Sequence, residues 1–377
     1  MIFIDREDYL SDLKNRISQF PLPGEETPRS RRVLALIGPK GVGKTSILKE
    51  LLKQGVEKTR FVYVEFRGPY GSAEDLLIDL LVQYREGLKE KAWKENIEKV
   101  LKAFGIKILG KEFIEELTTE DNIKLLHQAR PSLILRRIEE ETCKVCEEDN
   151  TRLVIIYDEF QNFLKGVPIK SEERFNVLLD SFMTHFSKSQ EWGFNLTKGY
   201  PIRILSSSDY TFYRLMSKYL TSYLEEKYVE ELAEEWSKEL FRQLLRQQGL
   251  EADVLAEEYT VRALGGNPSL INSLVMELKG RKGPVALEDV EEIIKKMVQE
   301  IRSSFENLEW IAKEILRVLK ERCSLSLSTL KVLLKGKFSE GQFNEGLEEL
   351  LLANIIQLRS GIISFQNRLI EYAAKEF

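Results

Sequence analysis

The stretch VLALIGPKGVGKTSILKELLKQG, residues 33–55, decides the fold. Five consecutive apolar residues, Val33 to Ile37, read as a strand buried on both faces, as in a parallel sheet. GPKGVGKTS at 38–46 follows and fits G-x-x-x-x-G-K-[ST] from Gly38 to Thr45. Glycines at 38, 41 and 43 let the backbone curl so that successive N–H groups point inward at phosphate oxygens. The cradle runs over Gly38, Pro39, Lys40, Gly41, Val42, Gly43, Lys44, Thr45 and Ser46. A helix opening near Lys44 adds its positive end. Lys44 is expected to reach the outer phosphates, and the Thr45 hydroxyl to ligate Mg²⁺. A glycine-rich turn without a ligand would not require Lys-Thr at its last two positions.

A triphosphate site also needs an acid for the metal. LVIIYDE at 153–159 supplies Asp158 at the end of the most apolar strand, with Glu159 next to it. Asp158 suits Mg²⁺, and Glu159 suits the polarisation of an attacking water. No guanine-reading [NT]KxD motif follows, because NLTKG at 195–199 lacks the aspartate. ATP is therefore expected rather than GTP. IRILSSSD offers Ser206, Ser207 and Ser208 at the tip of a further strand. In the additional-strand class of phosphate-loop proteins such a strand lies between the loop strand and the acidic strand. Three serines in a row read equally well as an ordinary loop entry.

A chain of 377 residues exceeds one ordinary core and suits two or three domains. Its 43% apolar residues exclude a largely disordered chain. The 56 basic and 61 acidic residues leave a net charge of −5, which excludes a strongly basic nucleic-acid coat. No run approaches the roughly 18 apolar residues of a membrane span. The opening MIFIDREDYL has no apolar signal core, so the cytoplasm is the expected location. With only His127 and His185, and with Cys143, Cys146 and Cys323, there is little material for histidine-based nucleophilic catalysis. Cys143-x-x-Cys146 is half of a zinc site at most and reads more simply as two small side chains on one helical face.

Beyond the loop, FVYVEF at 61–66 and IRILS at 202–206 read as further core strands. Ser72 and Asp75 form a capping box ahead of a helical region reaching about Phe104. Residues 105–130 read as a hairpin or an irregular insert, the cysteine-bearing stretch as a helix, and 169–190 as another. Strands alternating with helices imply a parallel sheet covered on both faces. After about residue 230 the strands stop. Four helices follow within 234–300, with Gly265-Gly266-Asn267-Pro268 between the second and third. The end of the chain reads as helices at 305–322, 326–335 and 339–353, then two short strands hinged at Ser360-Gly361. That is the order of a winged helix-turn-helix.

These residues resemble the archaeal ATPases of the AAA+/STAND group with a C-terminal winged helix, over nearly the whole chain. FIDRED at 3–8 is similar to that family's opening motif, which implies Arg6 and Glu7 near the nucleotide. ILSSS is similar to its sensor strand and aligns Ser207 with the sensing position. The Gly-Gly-Asn-Pro motif is similar to a lid motif whose proline, here Pro268, packs near adenine. The implied fold is a three-layer α/β phosphate-loop core of the additional-strand class (1–228), an all-α lid (229–303) and a winged helix (304–377). In place of the family's Leu-Tyr-Gly-Arg stretch the chain reads RLMSKYLTSYLEEKYVEEL, leaving Arg214 and Arg262 as candidate arginine fingers. Ser206 also replaces the usual glycine.

The third helix of the winged module carries Glu340, Glu345, Glu348 and Glu349 and no basic residue, which opposes insertion into a DNA groove. Lys331, Lys335, Lys337 and Arg359 lie around it. The expected function is an ATPase that uses Mg·ATP to move lid and winged helix, acting on a protein partner and open to oligomerisation. The rival is an ATP-gated DNA binder with little turnover. A small-molecule kinase is a weaker third reading.

Overall fold

The computed structural model describes residues 3–23, 33–68, 70, 73–87, 98–102, 131–163, 201–208, 224–281, 283–359 and 361–377. Strand β1 (Val33–Ile37) is buried along its whole length. It pairs in parallel with β4 (Ile202–Ser207) on one side and β5 (Leu224–Tyr228) on the other. β3 (Arg152–Asp158) pairs with β4, and β2 (Thr59–Glu65) closes the sheet beyond it. The order is β2-β3-β4-β1-β5, all parallel. The serine-tipped strand therefore does lie between the loop strand and the acidic strand.

Alternation along the strands assigns the two faces. Leu34, Leu36, Val154 and Ile156 share one core with α1 (Glu7–Gln19) and α2 (Lys44–Gln54). The opposite face carries α3 (Ala73–Gly87) and α4 (Pro131–Glu148), where Tyr157 and Arg203 are buried. Helix–sheet–helix layering puts the carboxyl ends of β1, β3 and β4 at one edge.

Strand β5 was not legible because LEEKY is an edge strand of mixed polarity. Its charges are matched by α1: Lys227 pairs with Asp12 at 3.1 Å, and Glu225 with Arg16.

After β5 come helices α5 (Glu234–Gln247), α6 (Val254–Leu264), α7 (Pro268–Glu277) and α8 (Leu287–Glu306). The expected helix 305–322 begins later, as α9 (Trp310–Arg322), because α8 runs on through Phe305. Then follow β6 (Ser324–Ser326), α10 (Leu327–Leu333), α11 (Glu340–Leu352), β7 (Ile356–Arg359), β8 (Ile362–Phe365) and α12 (Arg368–Glu376). The three strands form one antiparallel sheet in the order β6-β8-β7. Helix α12 was not anticipated. Its signal was Asn367, whose side chain accepts the Ile370 N–H at 3.0 Å as an N-cap.

One buried apolar cluster runs from Leu232 through Phe241, Ile294, Phe305 and Leu316 to Ala374. It joins α5–α8 to the C-terminal elements without a break, and α12 packs on α6 and α8 as well as on α9. Among the described residues no helix is long and apolar enough to cross a membrane. The readings for Ser72, 105–130, 169–190, 195–199, Arg214, His127 and His185 fall outside the described residues.

Phe305 is fully buried and meets Phe377 edge-on at 5.4 Å. Phe305→Ala should lower the unfolding free energy by about 3–5 kcal/mol. Urea melts followed by amide exchange should show α5–α8 and α9–α12 losing protection together.

Candidate nucleotide-binding site

The loop after β1 bends where its glycines allow it. Gly41 and Gly43 have φ of +87° and +100°, and Gly43 is the N-cap of α2. These are left-handed conformations that a side chain would strain. The first N–H groups of α2 have no intrahelical acceptor, so they and the helix dipole favour an anion there. Lys44 is buried under the loop, its Nζ donating to the Gly38 and Pro39 carbonyls at 2.8 and 3.0 Å. Thr45 and Ser46 are half-buried in the first turn, and Lys40 is exposed at the loop's crest.

Asp158 ends β3 on the face shared with α2 and is wholly buried. Both carboxylate oxygens are held. Oδ2 accepts the Tyr63 hydroxyl at 2.7 Å, and Oδ1 accepts the Glu159 backbone N–H at 2.9 Å. Burial, reinforced by the Asp158 charge, pushes the Tyr63 phenol far up, so it remains a donor at any ordinary pH. Glu159 turns the chain sharply at φ +53°, a strained position for a residue with a side chain. Its carboxylate accepts the Gln161 amide, while Gln161 Oε1 accepts the Ser208 N–H at 3.1 Å. One amide thus ties Glu159 to the end of β4.

The three serines separate. The last registered pair of β3 and β4 is Tyr157 with Leu205, so Ser206 comes level with Asp158 and shares its face. Ser206 is fully buried, and its Oγ has no hydrogen-bond partner among the described residues. Ser207 belongs to the opposite face, and its hydroxyl donates to the Ser208 carbonyl at 3.1 Å.

Two further segments close on the loop. Arg6, 4% exposed, donates through Nη2 to the Val42 carbonyl at 3.0 Å and to the Glu230 carbonyl at 2.7 Å. Burial lowers its pKa, with Tyr9 and the neighbouring carboxylates opposing. Glu7 does not share this role, since it accepts the Arg6 backbone N–H at 2.9 Å. From the helical region, Asn267 N-caps α7 through Oδ1 and donates Nδ2 to the Lys40 carbonyl at 2.9 Å. The Ser269 N–H reaches the Gly41 carbonyl at 3.2 Å. Pro268, the first residue of α7, is half-buried between these two contacts. Arg262 is exposed, lies 5.1 Å over the Tyr259 ring, and lines a cavity of about 490 Å³ behind Gly265 and Gly266.

Residues 27–190 match the AAA domain family. That segment holds the phosphate loop and the acidic strand, and ends before β4. The whole chain is similar in fold to the Walker-type ATPase PABY2304 of Pyrococcus abyssi, at 17% identity and TM-score 0.61, covering 99% of this chain and 96% of that one. It is also similar to the Aeropyrum pernix ORC2 protein, at 14% identity and TM-score 0.52, covering 99% and 94%. No protein of curated function matches the sequence. These likenesses establish a phosphate-loop nucleoside triphosphatase fold.

The donor set fits a magnesium–triphosphate. The helix terminus, Lys44, the Thr45 hydroxyl, the Asp158 carboxylate and the Ser206 hydroxyl, unpartnered among the described residues, lie at one edge of the parallel sheet. Cys143 and Cys146 are not joined in a disulfide, and burial pushes the Cys143 thiol well up, aided by the Glu139 carboxylate. Among the described residues no group of three or more metal-ligating side chains is present.

Tyr63, Gln161 and Asn267 were missed as site residues. Tyr63 carries no motif; only its place one strand beyond Asp158 gives it a role. Asn267 stood inside a recognised motif, but nothing in the spacing revealed that its amide reaches Lys40.

A Cβ on Gly41 would lie 2.6 Å from both Asn267 Oδ1 and Ser269 Cβ, whereas one on Gly55, at φ +67°, would meet nothing. Gly41→Ala should cost about 1–3 kcal/mol beyond the strain that Gly55→Ala also incurs. Thermal unfolding of the two variants measures the difference.

Proposed function

We propose that the chain is an ATPase in which Mg·ATP bound at the phosphate loop repositions the helical lid and a C-terminal winged helix, switching a protein partner. The observation that carries this reading is the pair of bonds from Asn267 and Ser269 to the loop's own backbone at Lys40 and Gly41. Any change in the loop's path is transmitted directly to the start of α7.

The roles follow from the chemistry of each group. The backbone N–H groups from Gly41 to Ser46 hold phosphate oxygens, and Lys44 offers them its ammonium. Thr45 and Asp158 hold the cation, with Tyr63 fixing the carboxylate's rotamer. Glu159 accepts a proton from the attacking water, its position set by Gln161. Ser206 or Ser207 senses the terminal phosphate, and the free Oγ of Ser206 on the Asp158 face favours Ser206. Arg6 braces Val42 from below, and Pro268 borders the base. When bound, Mg·ATP supplies an electrophilic phosphoryl group and the charge that offsets its oxygens. An arginine finger would come from Arg214, from Arg262, or from a second copy in an oligomer.

We take the elements from α9 to α12 as the winged helix, with 1–228, 229–303 and 304–377 as functional units. Three of the four basic groups around α11 are engaged. Lys331 pairs with Glu340 at 3.0 Å and Lys337 with Glu314 at 3.1 Å. Arg359 lies 3.8 Å over the Tyr228 ring and pairs with Glu230 at 3.2 Å. Tyr228 also donates its hydroxyl to Gln357 at 2.8 Å. The exposed face of α11 presents Glu340 and Glu345. This arrangement supports an intramolecular or protein-binding role over sequence-specific DNA reading.

Glu159→Gln should retain Mg·ATP affinity and lose about 10²–10⁴-fold in turnover, while Lys44→Ala should weaken binding. Calorimetry and steady-state phosphate release measure the two, and unchanged turnover in both variants would overturn the reading. Duplex DNA titrated at two salt concentrations, with and without ATP, should bind no tighter than roughly 10⁻⁶ M.

A further inference from the structure

Strand β4 carries one charged residue, Arg203, set among Ile202, Ile204 and Leu205, and it is 1% exposed in the middle of the sheet. Taking a guanidinium out of water is costly unless its hydrogen bonds are replaced. Here they are. Arg203 Nη2 donates to Glu139 Oε2 of α4 at 2.6 Å, and Glu139 is itself 3% exposed. Glu139 Oε1 accepts the Tyr157 hydroxyl of β3 at 2.9 Å, and that hydroxyl lies 2.6 Å from Tyr84 of α3. Two strands and two helices therefore meet at one buried carboxylate, on the face away from the phosphate loop.

The apolar pattern alone does not fix where β4 sits. VLALI, LVIIY and IRIL would pack almost as well if β4 slid by two residues, about 6.6 Å along its neighbours. That slip would carry Arg203 away from Glu139 and break the buried ion pair. A slip by one residue would turn Arg203 into the core shared with α1 and α2. Either displacement also separates Ser206 from Asp158, which the present register brings level.

We propose that the Arg203–Glu139 pair is a register lock, making both residues positioning residues that hold Ser206 beside Asp158 across the inserted strand. The consequence for catalysis rests on the nucleotide reading above; the lock itself does not. Burial by itself would lower the Arg203 pKa, and the Glu139 carboxylate more than offsets it, so the pair remains ionised.

The principal test is the double variant Glu139→Leu/Arg203→Met, which replaces the pair by apolar groups of similar volume and so avoids an unpaired buried charge. It should melt at or above the temperature of the unmodified protein. Amide exchange without nucleotide should nonetheless be roughly tenfold faster at Leu205–Ser208, and kcat should fall about 100-fold with KM for Mg·ATP little changed, because β1 is untouched. Glu139→Gln, which keeps shape and one hydrogen bond, is the second variant and should speed the same amides to a smaller extent. Unaltered exchange at these amides in both variants overturns the lock. If the double variant fails to fold, exchange in Glu139→Gln decides alone. Should the unmodified protein neither bind nor hydrolyse Mg·ATP, the nucleotide reading fails while the exchange measurement still judges the lock.

Discussion

No side chain fits at Gly41, and much of the arrangement follows from that. The loop's crest is pressed between its own left-handed turn and the capped end of α7, with Asn267 and Ser269 each within bonding reach of its backbone. A loop that met only solvent there would tolerate alanine with modest strain. Contact this close means that the groups cradling an anion and the groups beginning the helical region are one hydrogen-bonded unit. Asn267 serves both, since one end of its amide caps the helix while the other holds Lys40.

The opposite boundary of the loop is equally crowded. A Cβ on Gly38 would come within 2.3 Å of the Val229 carbonyl, and the Val229 N–H is bonded to Ile37 at 2.7 Å. The next residues continue the theme. The Glu230 carbonyl accepts Arg6, which also grips Val42, and the Leu232 N–H reaches the Gly266 carbonyl at 2.8 Å. Five residues, Tyr228 to Leu232, therefore touch the phosphate loop, the N-terminal segment, the turn before α7 and the C-terminal hairpin. Glu231 pays for its place there, with burial raising the pKa of its carboxyl.

What the sequence made legible follows a physical division. Continuous apolar runs such as VLALI and LVIIY leave few alternatives to buried strands, and G-x-x-x-x-G-K-[ST] is too constrained to arise as an ordinary turn. Strand β5 escaped because an edge strand can be polar when a helix supplies counter-charges, and Asp12 and Arg16 lie over two hundred residues away along the chain. Helix α12 escaped because its nine residues carry a mixed pattern whose apolar side is completed only by α6, α8 and α9. Within the site, Lys44, Thr45, Asp158 and Glu159 announce themselves by type and spacing. Tyr63, Gln161 and Arg203 do not, since each acquires its role from a partner on another strand or helix. That Ser206 and Ser207 face opposite sides of the sheet needed strand alternation and register, which three identical letters in a row conceal.

The unbroken apolar cluster from Leu232 to Ala374 has a mechanical corollary. Two modules that share one interior cannot flex at their junction without opening it to water, so together they behave as a stiff arm. If nucleotide moves this arm as proposed, it would move as one body, and a small shift of backbone near Gly38 would carry its far helices through a larger arc.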